Sequence, residues 1–413
     1  MERWEIVLVG AGAAGLMAAW RAARELGAGK VLLLEGNAKP GKKLLATGNG
    51  RCNLTNLGAE PCRYHGDRDL AAPLLAQYPP ARVLEAFRAM GLVCREDGEG
   101  RVYPYNFQAA AVLQALWTAC QEAGVQARWD SPVTGVRREK GGFLLETAGG
   151  EKLFARQCLL CAGGKASPKH SKGEGYSLAE GLGHQVTALR PSLAPLKSPA
   201  KCLRSLKGMR ARAKAGLYRR GRLVWEESGE VQFGDGALSG ICVFDLSARL
   251  EGPGPWEVRL DLAEDWEEAQ VLGYLKGLRR QHPRRRAGDL LAGFLNLRVG
   301  WELVKLSGLA GDLPLAQIGD RQLEAAARLI KSWTFPVTGP GPWESAQVTR
   351  GGVPLGEVDP ETLESRRCPG LYLTGELLNV DGDCGGFNLH WAWATGLAAG
   401  AAAARRAKEG PSC

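Results

Sequence analysis

The sequence predicts an α/β protein: a parallel sheet carrying a dinucleotide cradle, interrupted in mid-chain by a β-rich and then helical segment. Three observations carry that expectation. The chain opens with an apolar strand, Trp4-Glu5-Ile6-Val7-Leu8-Val9, that runs into Gly10-Ala11-Gly12-Ala13-Ala14-Gly15 and a helix. A second apolar strand, Lys30-Val31-Leu32-Leu33-Leu34, ends in Glu35, twenty residues beyond Gly15. Prolines at 191, 195 and 199 then mark a boundary, after which short strand candidates and a basic segment follow.

Each glycine of the opening turn has its own task. Gly10 permits the tight turn, Gly12 lets backbone approach a pyrophosphate without a Cβ in the way, and Gly15 lets helix and strand pack closely. The helix start, with Ala13 and Ala14 in its first turn, aims free N–H groups and a positive dipole end at the phosphates. Glu35, followed by Gly36, is placed to hydrogen-bond ribose hydroxyls. A β-α-β unit whose glycines serve packing only is the alternative. Strand, turn, helix, strand and acid all falling in register argue against it.

Composition narrows the class. At 413 residues, with 45% hydrophobic and 23% charged, the chain is long enough for two or three domains of an ordinary globular protein. The N-terminus enters a strand with no basic-then-apolar leader, so a cytoplasmic location is expected. The longest apolar run, residues 391–404, is too short and too rich in Ala and Gly to span a bilayer, and no membrane partner is expected. Eleven irregularly spaced cysteines point to free thiols in a reducing compartment. Cys158 and Cys161 have redox-motif spacing, but within a strand residues three apart face opposite ways, which leaves core packing as their role. No His, Cys and carboxylate set has zinc spacing, so no metal is expected.

The net charge of +9 is uneven. Lys201, Arg204, Lys207, Arg210, Arg212, Lys214, Arg219, Arg220 and Arg222 follow one another with no acid among them, and Arg284, Arg285 and Arg286 form the heart of a second cluster. Such blocks point either to a polyanionic partner, whose phosphates release counterions on contact, or to a solvated face that keeps the protein soluble.

Along the chain, residues 41–56 form a polar, glycine-punctuated loop too elaborate for a plain connection. Lys42, Lys43, Thr47, Gly48, Asn49, Gly50, Arg51, Cys52 and Asn53 could wrap a planar polar ring and supply donors to its carbonyl oxygens. Residues 69–92 and 109–124 have helical apolar spacing, and residues 133–154 read as a small antiparallel meander broken at glycine pairs. The meander leads to Cys161-Ala162-Gly163-Gly164, where glycines at a strand end let backbone approach a cofactor. Residues 221–246 and 256–262 read as short strands; 266–280, 289–306 and 320–333 read as helices. A last strand ends in Gly375-Glu376. It is followed by Asp381-Gly382-Asp383-Cys384-Gly385-Gly386-Phe387-Asn388 and a helix, whose first N–H groups can stabilise negative charge on a bound ring.

The loop at 41–56 looks like the signature of the BaiN/YhiN family of flavoproteins, also called aminoacetone oxidase-like FAD-dependent oxidoreductases. The likeness continues through Gly100-Arg101-Val102-Tyr103-Pro104, through residues 161–168 and from Thr374 to Asn388, and so covers nearly the whole chain. It implies FAD as cofactor and a Rossmann-like FAD-binding domain with an inserted β-barrel domain and a small helical subdomain. The expected boundaries are 1–190 and 356–413 for the FAD-binding domain, 191–263 with 335–355 for the barrel, and 264–334 for the helical part. It also implies that 161–164 is a second FAD motif and that Glu376 acts like the acid that holds the ribityl chain in related flavoproteins. The sequence departs from the family where relatives usually have His and Pro: Asp235 and Ile241 stand there. Asp235 is either a polar group near substrate or a turn-stabilising Asp beside Gly236.

Only one strand-to-helix dinucleotide fingerprint is present, so NAD(P)H is expected as a transient electron donor, with hydride chemistry residing in the flavin. The leading expectation is reduction of an activated C=C. The resemblance extends to enzymes that make dihydrouridine in large-subunit ribosomal RNA, whose uridine must leave its stack to be reached. Cys52, Cys242 and Cys384 are the candidate proton donors. A small-molecule oxidase or enone reductase, or a non-enzymatic RNA-binding flavoprotein, are the alternatives.

Overall fold

The computed structural model describes residues 1–409. The chain divides into two compact units, Met1–Pro191 resuming at Gln347, and Ser192–Ala346 between them. The return at Gln347 corrects the expected boundary: residues 347–355 belong to the first unit.

At the centre of the first unit lies strand Glu2–Val9, flanked in parallel by Val31–Leu34 on one side and Lys152–Leu160 on the other. Gln126–Arg128 and Leu371–Leu373 extend the parallel sheet outward. Ile6, Val7 and Leu8 are fully buried, as are Leu32, Leu33, Leu159 and Leu160. A sheet covered on both faces calls for such continuous apolar runs rather than alternation. The register aligns Val9 with Leu34 and Leu160, and Leu160 with Leu373. The carboxyl ends of four strands therefore lie side by side. Val133–Glu139 and Gly142–Thr147 form the antiparallel meander that feeds Lys152–Leu160.

Two helices, Ala13–Leu26 and Phe387–Glu409, pack against each other through small residues. A Cβ on Gly396 would stand 2.6 Å from the Ala14 carbonyl oxygen, and one on Gly400 2.5 Å from that of Ala18. Backbone, unlike a flexible side-chain tip, cannot move aside. Gly400→Val is therefore expected to lower stability by at least the 1–3 kcal/mol typical of overpacking, roughly, read as a fall in the thermal midpoint of the purified protein.

The helical stretch expected over 69–92 is two helices, Arg68–Gln77 and Pro80–Ala89. Pro79 and Pro80 explain the break: the residue before a proline avoids helical geometry, while proline itself suits a helix start. Ala109–Glu122 forms as expected. Among the described residues no helix is long and apolar enough to cross a membrane.

In the second unit a seven-stranded sheet runs in the order Trp333–Val337, Trp256–Asp261, Arg210–Arg219, Arg222–Phe233, Ala237–Ser239, Leu196–Lys197, Gly339–Pro340. Its two outer strands are separated along the chain by Thr338 alone, so the sheet curls round until its edges meet, as in a barrel. Glu268–Gln281, Leu297–Leu306 and Asp320–Lys331 supply the helical part. Three expectations are corrected here. Ile241–Ser247 is a helix, not a strand, because Gly240 turns the chain at φ 113°. The helix expected from 289 begins at Leu297, where the Asn296 side chain accepts the Arg298 N–H at 3.1 Å. Trp333 opens a strand rather than closing a helix.

Candidate functional site

The aligned strand ends of the first unit place Gly10, Glu35, Cys161 and Thr374 along one edge, where open α/β sheets receive ligands. Gly10 adopts φ 104°, and a Cβ there would lie 2.6 Å from the Cys161 carbonyl oxygen. A Cβ on Gly15 would overlap the Gly10 carbonyl oxygen. Gly12 behaves differently: a Cβ there would meet no described atom within 4 Å. Gly10 and Gly15 are thus required by packing, while Gly12 borders open space at the start of a helix that no side chain caps. Ala13 and Ala14 form that first turn.

Glu35 is buried beside this turn. Its Oε2 accepts the Ala11 N–H at 2.7 Å, and Oε1 accepts the Asn37 backbone and side-chain N–H groups at 2.9 and 2.6 Å. A carboxylate offers about four acceptor positions, so one is left for a ribose hydroxyl. Gly36 lies against Pro132.

Strand Lys152–Leu160 delivers Ala162, Gly163 and Gly164, and the Ser171 hydroxyl closes this loop by donating to the carbonyls of Ala162 and Gly164 at 3.1 and 2.6 Å. A Cβ on Gly164 would lie 2.5 Å from both Glu376 Oε1 and Thr349 Oγ1. Glu376 Oε1 accepts the Thr349 N–H at 2.7 Å, Oε2 pairs with Lys43 at 2.5 Å, and the Glu376 carbonyl accepts from Tyr176 Oη at 3.0 Å. Lys42 reaches Asn37 Oδ1 at 3.2 Å. Gly375, at φ 64°, donates to Thr395 Oγ1 at 3.0 Å and lies close to Ala14.

The polar loop folds as a short helix, Lys42–Ala46, and a tight turn, Thr47–Gly50. Gly48, Asn49, Gly50 and Cys52 all have positive φ, which turns the backbone sharply enough to leave Gly48, Asn49, Gly50 and Arg51 exposed. Asn53 Oδ1 is buried with no hydrogen-bond partner among the described residues. It faces Gly386, where a Cβ would lie 2.7 Å from it. Gly385 and Gly386, at φ 122° and 103°, bring the chain to the helix that begins at Phe387. The Asn388 side chain clamps Gly382, accepting its N–H and donating to its carbonyl at 2.8 Å each. Asn56 Nδ2 donates to the Gly385 carbonyl at 2.9 Å, and Asn56 pairs across a strand with Arg101. This ties the segment 101–104 to the same edge, with Tyr103 half-buried beside it.

An edge with open space at Gly12, an uncapped helix start and an orphaned buried acceptor at Asn53 fits a dinucleotide carrying a polar ring system. The residues fit FAD. Glycines 10, 12, 15, 163, 164, 375, 385 and 386, Glu35, Asn53 and Glu376 converge there although they are spread over nearly the whole chain.

Several side chains expected at the site do other work. Asp381 is buried and paired with buried Arg350, Oδ1 to Nε at 3.2 Å and Oδ2 to Nη2 at 3.2 Å. Cys52 is fully buried, and burial pushes its thiol up to about 12. Cys242 belongs to the second unit, where its thiol faces the Glu230 carbonyl at 3.6 Å and burial raises it to about 11. Cys52 and Cys242 are sealed from solvent in this structure, and that burial weighs against either as the proton donor. Cys384 is only half-buried, near Gln347 Oε1. Cys158 and Cys161 are both buried and free. His390 is fully buried, its Nδ1 2.8 Å from Thr55 Oγ1, and burial pulls it down to about 4. Among the described residues no group of His, Cys, Asp and Glu side chains is placed to hold a metal.

Sequence reasoning missed Thr349 and Arg350. Thr349 Oγ1 accepts the N–H groups of Lys165 and Ala166 at 2.7 and 3.0 Å, pinning the loop after Gly164. The available signal was the glycine pair that follows, Gly351 and Gly352, both at positive φ with backbone pressed against them.

In the second unit, cations that have no acid near them in sequence find acids across the sheet. Arg210 pairs with Glu230 at 2.8 Å, Lys214 with Glu226 at 2.6 Å, Arg212 with Glu264 at 3.1 Å and Lys207 with Asp235 at 3.2 Å. Arg286 lies 3.6 Å from Asp289. Lys201, Arg204, Arg219, Arg220, Arg222, Arg284 and Arg285 have no carboxylate partner among the described residues. The block is thus half neutralised by acids that lie elsewhere in the sequence. Asp235 is exposed beside Gly236 at φ 72°.

A family model described as the HI0933-like protein Rossmann domain matches residues 4–402. The chain is 37% identical over 408 residues to a 3-dehydro-bile acid delta(4,6)-reductase of Clostridium scindens, covering 97% of this chain and 99% of that one. It is 30% identical over 410 residues to a ribosomal RNA dihydrouridine synthase of Escherichia coli, covering 96% and 97%. Among solved structures, a flavocytochrome c3 fumarate reductase in its open conformation matches with a TM-score of 0.51 at 17% identity, covering 98% of this chain and 79% of that one. The 3-ketosteroid delta1-dehydrogenase of Sterolibacterium denitrificans matches with a TM-score of 0.51 at 14% identity, covering 98% and 100%. At such identities the likeness is one of fold.

Proposed function

The chain belongs to the HI0933-like Rossmann-domain family of flavoproteins and is an FAD-dependent oxidoreductase; on that premise we propose that it reduces a C=C bond conjugated to a carbonyl, with NAD(P)H as transient donor. The observation that carries the reading is that a delta(4,6)-reductase and a dihydrouridine synthase both match almost end to end. Their names differ in substrate and share the saturation of a double bond. Family membership also sets aside a purely RNA-binding role.

When bound, FAD supplies the hydride chemistry. The chain's own residues do the rest. Gly12 and the uncapped helix start receive the pyrophosphate, Glu35 holds a ribose hydroxyl, and Asn53 Oδ1 with the N–H groups of Gly386 and Phe387 holds the polar ring edge. Lys43 and Thr349 fix Glu376, which would hold the ribityl chain. Of the expected proton donors, Cys384 alone keeps access to solvent; the half-buried Tyr103 hydroxyl is a further candidate on this edge.

Uridine in large-subunit ribosomal RNA is the proposed substrate, supported by the seven cations of the second unit that lack carboxylate partners and by the dihydrouridine synthase likeness. A small-molecule enone is the second reading, favoured by the internal neutralisation of the rest of that basic block and by the likeness to a bile acid reductase. Mass spectrometry of ribosomal RNA nucleosides from cells with and without the gene tests the choice. Dihydrouridine is expected to disappear on deletion and to return with the wild-type gene but not with Gly12→Val. An unchanged level, together with NAD(P)H oxidation by purified protein on a steroid-type enone, decides for the second reading.

A further inference from the structure

We propose that the tip of the hairpin formed by Arg210–Arg219 and Arg222–Phe233 is the surface on which this protein grips single-stranded RNA. The inference rests on the RNA reading of its function and goes beyond it by assigning the contact to one end of one element.

The hairpin carries two kinds of cation. Toward its root, Arg210, Arg212 and Lys214 each face a carboxylate, so bringing in a phosphate there would first require breaking an ion pair. At the tip, Arg219 pairs across the strands with Arg222, and Arg220 and Gly221 form the two-residue turn between them. Both turn residues have positive φ, 51° and 77°, the geometry of a type I′ turn matched to the strand twist. Three arginines are thus gathered within four residues. None has a carboxylate partner among the described residues. Arg219 is instead anchored through the Pro253 carbonyl, at 3.1 and 2.7 Å.

The tip also presents aromatic and apolar surface. Residues 222–226 are all exposed. Leu223, Val224 and Trp225 are 49, 42 and 40% exposed, unusual for three successive large apolar side chains on a charged hairpin. Arginine planes already lie on the neighbouring rings: Arg249 over Trp225 at 4.1 Å, Arg219 over Trp256 at 5.3 Å and Arg259 over Tyr218 at 4.0 Å. The guanidinium groups of Arg219, Arg220 and Arg222, which have no carboxylate partner among the described residues, beside exposed Trp225 suit a chain of phosphates whose bases are free to stack. A purely solvated tip would carry the charges without the apolar run.

The test compares binding of a single-stranded large-subunit ribosomal RNA fragment by the full-length, FAD-loaded protein and two variants. The tip variant is Arg220→Asn with Arg222→Ser, asparagine being chosen because it tolerates positive φ. The root variant is Arg210→Ser with Arg212→Ser. The tip variant is expected to lose about tenfold in affinity at moderate salt, with a salt slope shallower by about 1.4, the value for two phosphate contacts on a single strand. The root variant is expected to bind as wild type. Trp225→Ala is expected to weaken binding by about tenfold with no change of slope, because stacking releases no counterions. Wild-type affinity in the tip variant, or an equal loss in the root variant, overturns the surface assignment while leaving the RNA reading intact. Failure of the wild-type protein to bind RNA overturns that reading as well. Competition by polyglutamate as strong as that by RNA would move the tip to an acidic protein partner.

Discussion

Gly12→Val gives a folded protein without flavin, whereas Gly15→Val gives little folded protein: this contrast is the largest effect expected of any pair of substitutions in the chain. Gly12 has φ −81° and ψ −167°, ordinary extended geometry open to any residue, and a Cβ there meets nothing described within 4 Å. The apoprotein therefore has no reason to unfold. The valine side chain instead enters the space beside the uncapped helix start, where the pyrophosphate must approach backbone N–H groups. Flavin absorbance per mole of purified protein is expected to fall by more than tenfold, on the order of what displacing backbone-held phosphates would cause, while the circular dichroism spectrum stays that of the wild-type apoprotein. At Gly15 the new Cβ would overlap the Gly10 carbonyl oxygen and crowd Cys161. Strand and helix would have to separate, so soluble yield and melting cooperativity are the readouts. A Gly12→Val protein that remains fully yellow would remove the pyrophosphate from this position.

Arg350→Met is expected to cost about 3–5 kcal/mol, the usual result of leaving a buried charge uncompensated. Arg350 and Asp381 are 8 and 2% exposed and meet in two near-parallel contacts of 3.2 Å. Their attraction does not make the pair an efficient stabiliser, since both charges were taken out of water to form it. What matters is that neither can be removed alone. Asp381 sits in strand Val380–Gly382, directly ahead of the turn at Gly385 and Gly386, so loosening it also disturbs the helix start expected to hold the flavin ring. Urea unfolding of the single variants and of Arg350→Met with Asp381→Leu measures the effect. The double variant is expected to recover most of the loss. Equal destabilisation in singles and double would show that the two residues act through other partners.

Local chemistry made the first half of the site readable. Glycine spacing, an apolar strand on either side and an acid at the end of the second are short-range features, and a chain with that order has few ways to fold. The register sets Val9 beside Leu34 and Leu160, and Leu160 beside Leu373, with Gly10 and Glu35 directly at the ends of the first two strands and Gly163 and Gly375 a little beyond the ends of the others. What stayed hidden depends on partners far apart in sequence. Thr349 clamps residues 165 and 166, and although the glycine pair after it marks a constrained backbone, nothing nearby tells which distant residues it holds. The run from Lys201 to Arg222 looks unopposed because its acids, Glu226, Glu230 and Glu264, come later and meet it only once the strands pair. Cys52 lies in a polar loop, yet a positive φ of 56° turns its thiol inward, which no composition argument could foresee.

The edge strand Leu371–Leu373 and the acid Glu376 are contributed by the part of the chain that follows the second unit. A nascent chain that has left the ribosome as far as residue 346 already holds Gly12 and Glu35, but not the acid or the helix start that complete the edge. If Glu376 and the helix start at Phe387 are needed to hold FAD, its capture would wait until synthesis is almost finished. The second unit, contiguous in sequence, can fold during translation, while closure of the first sheet waits for a contact between residues more than 200 positions apart, Leu160 with Leu373. A chain cut short before residue 371 would lack the strand that pairs with Cys158–Leu160 and leave that stretch of sheet edge open.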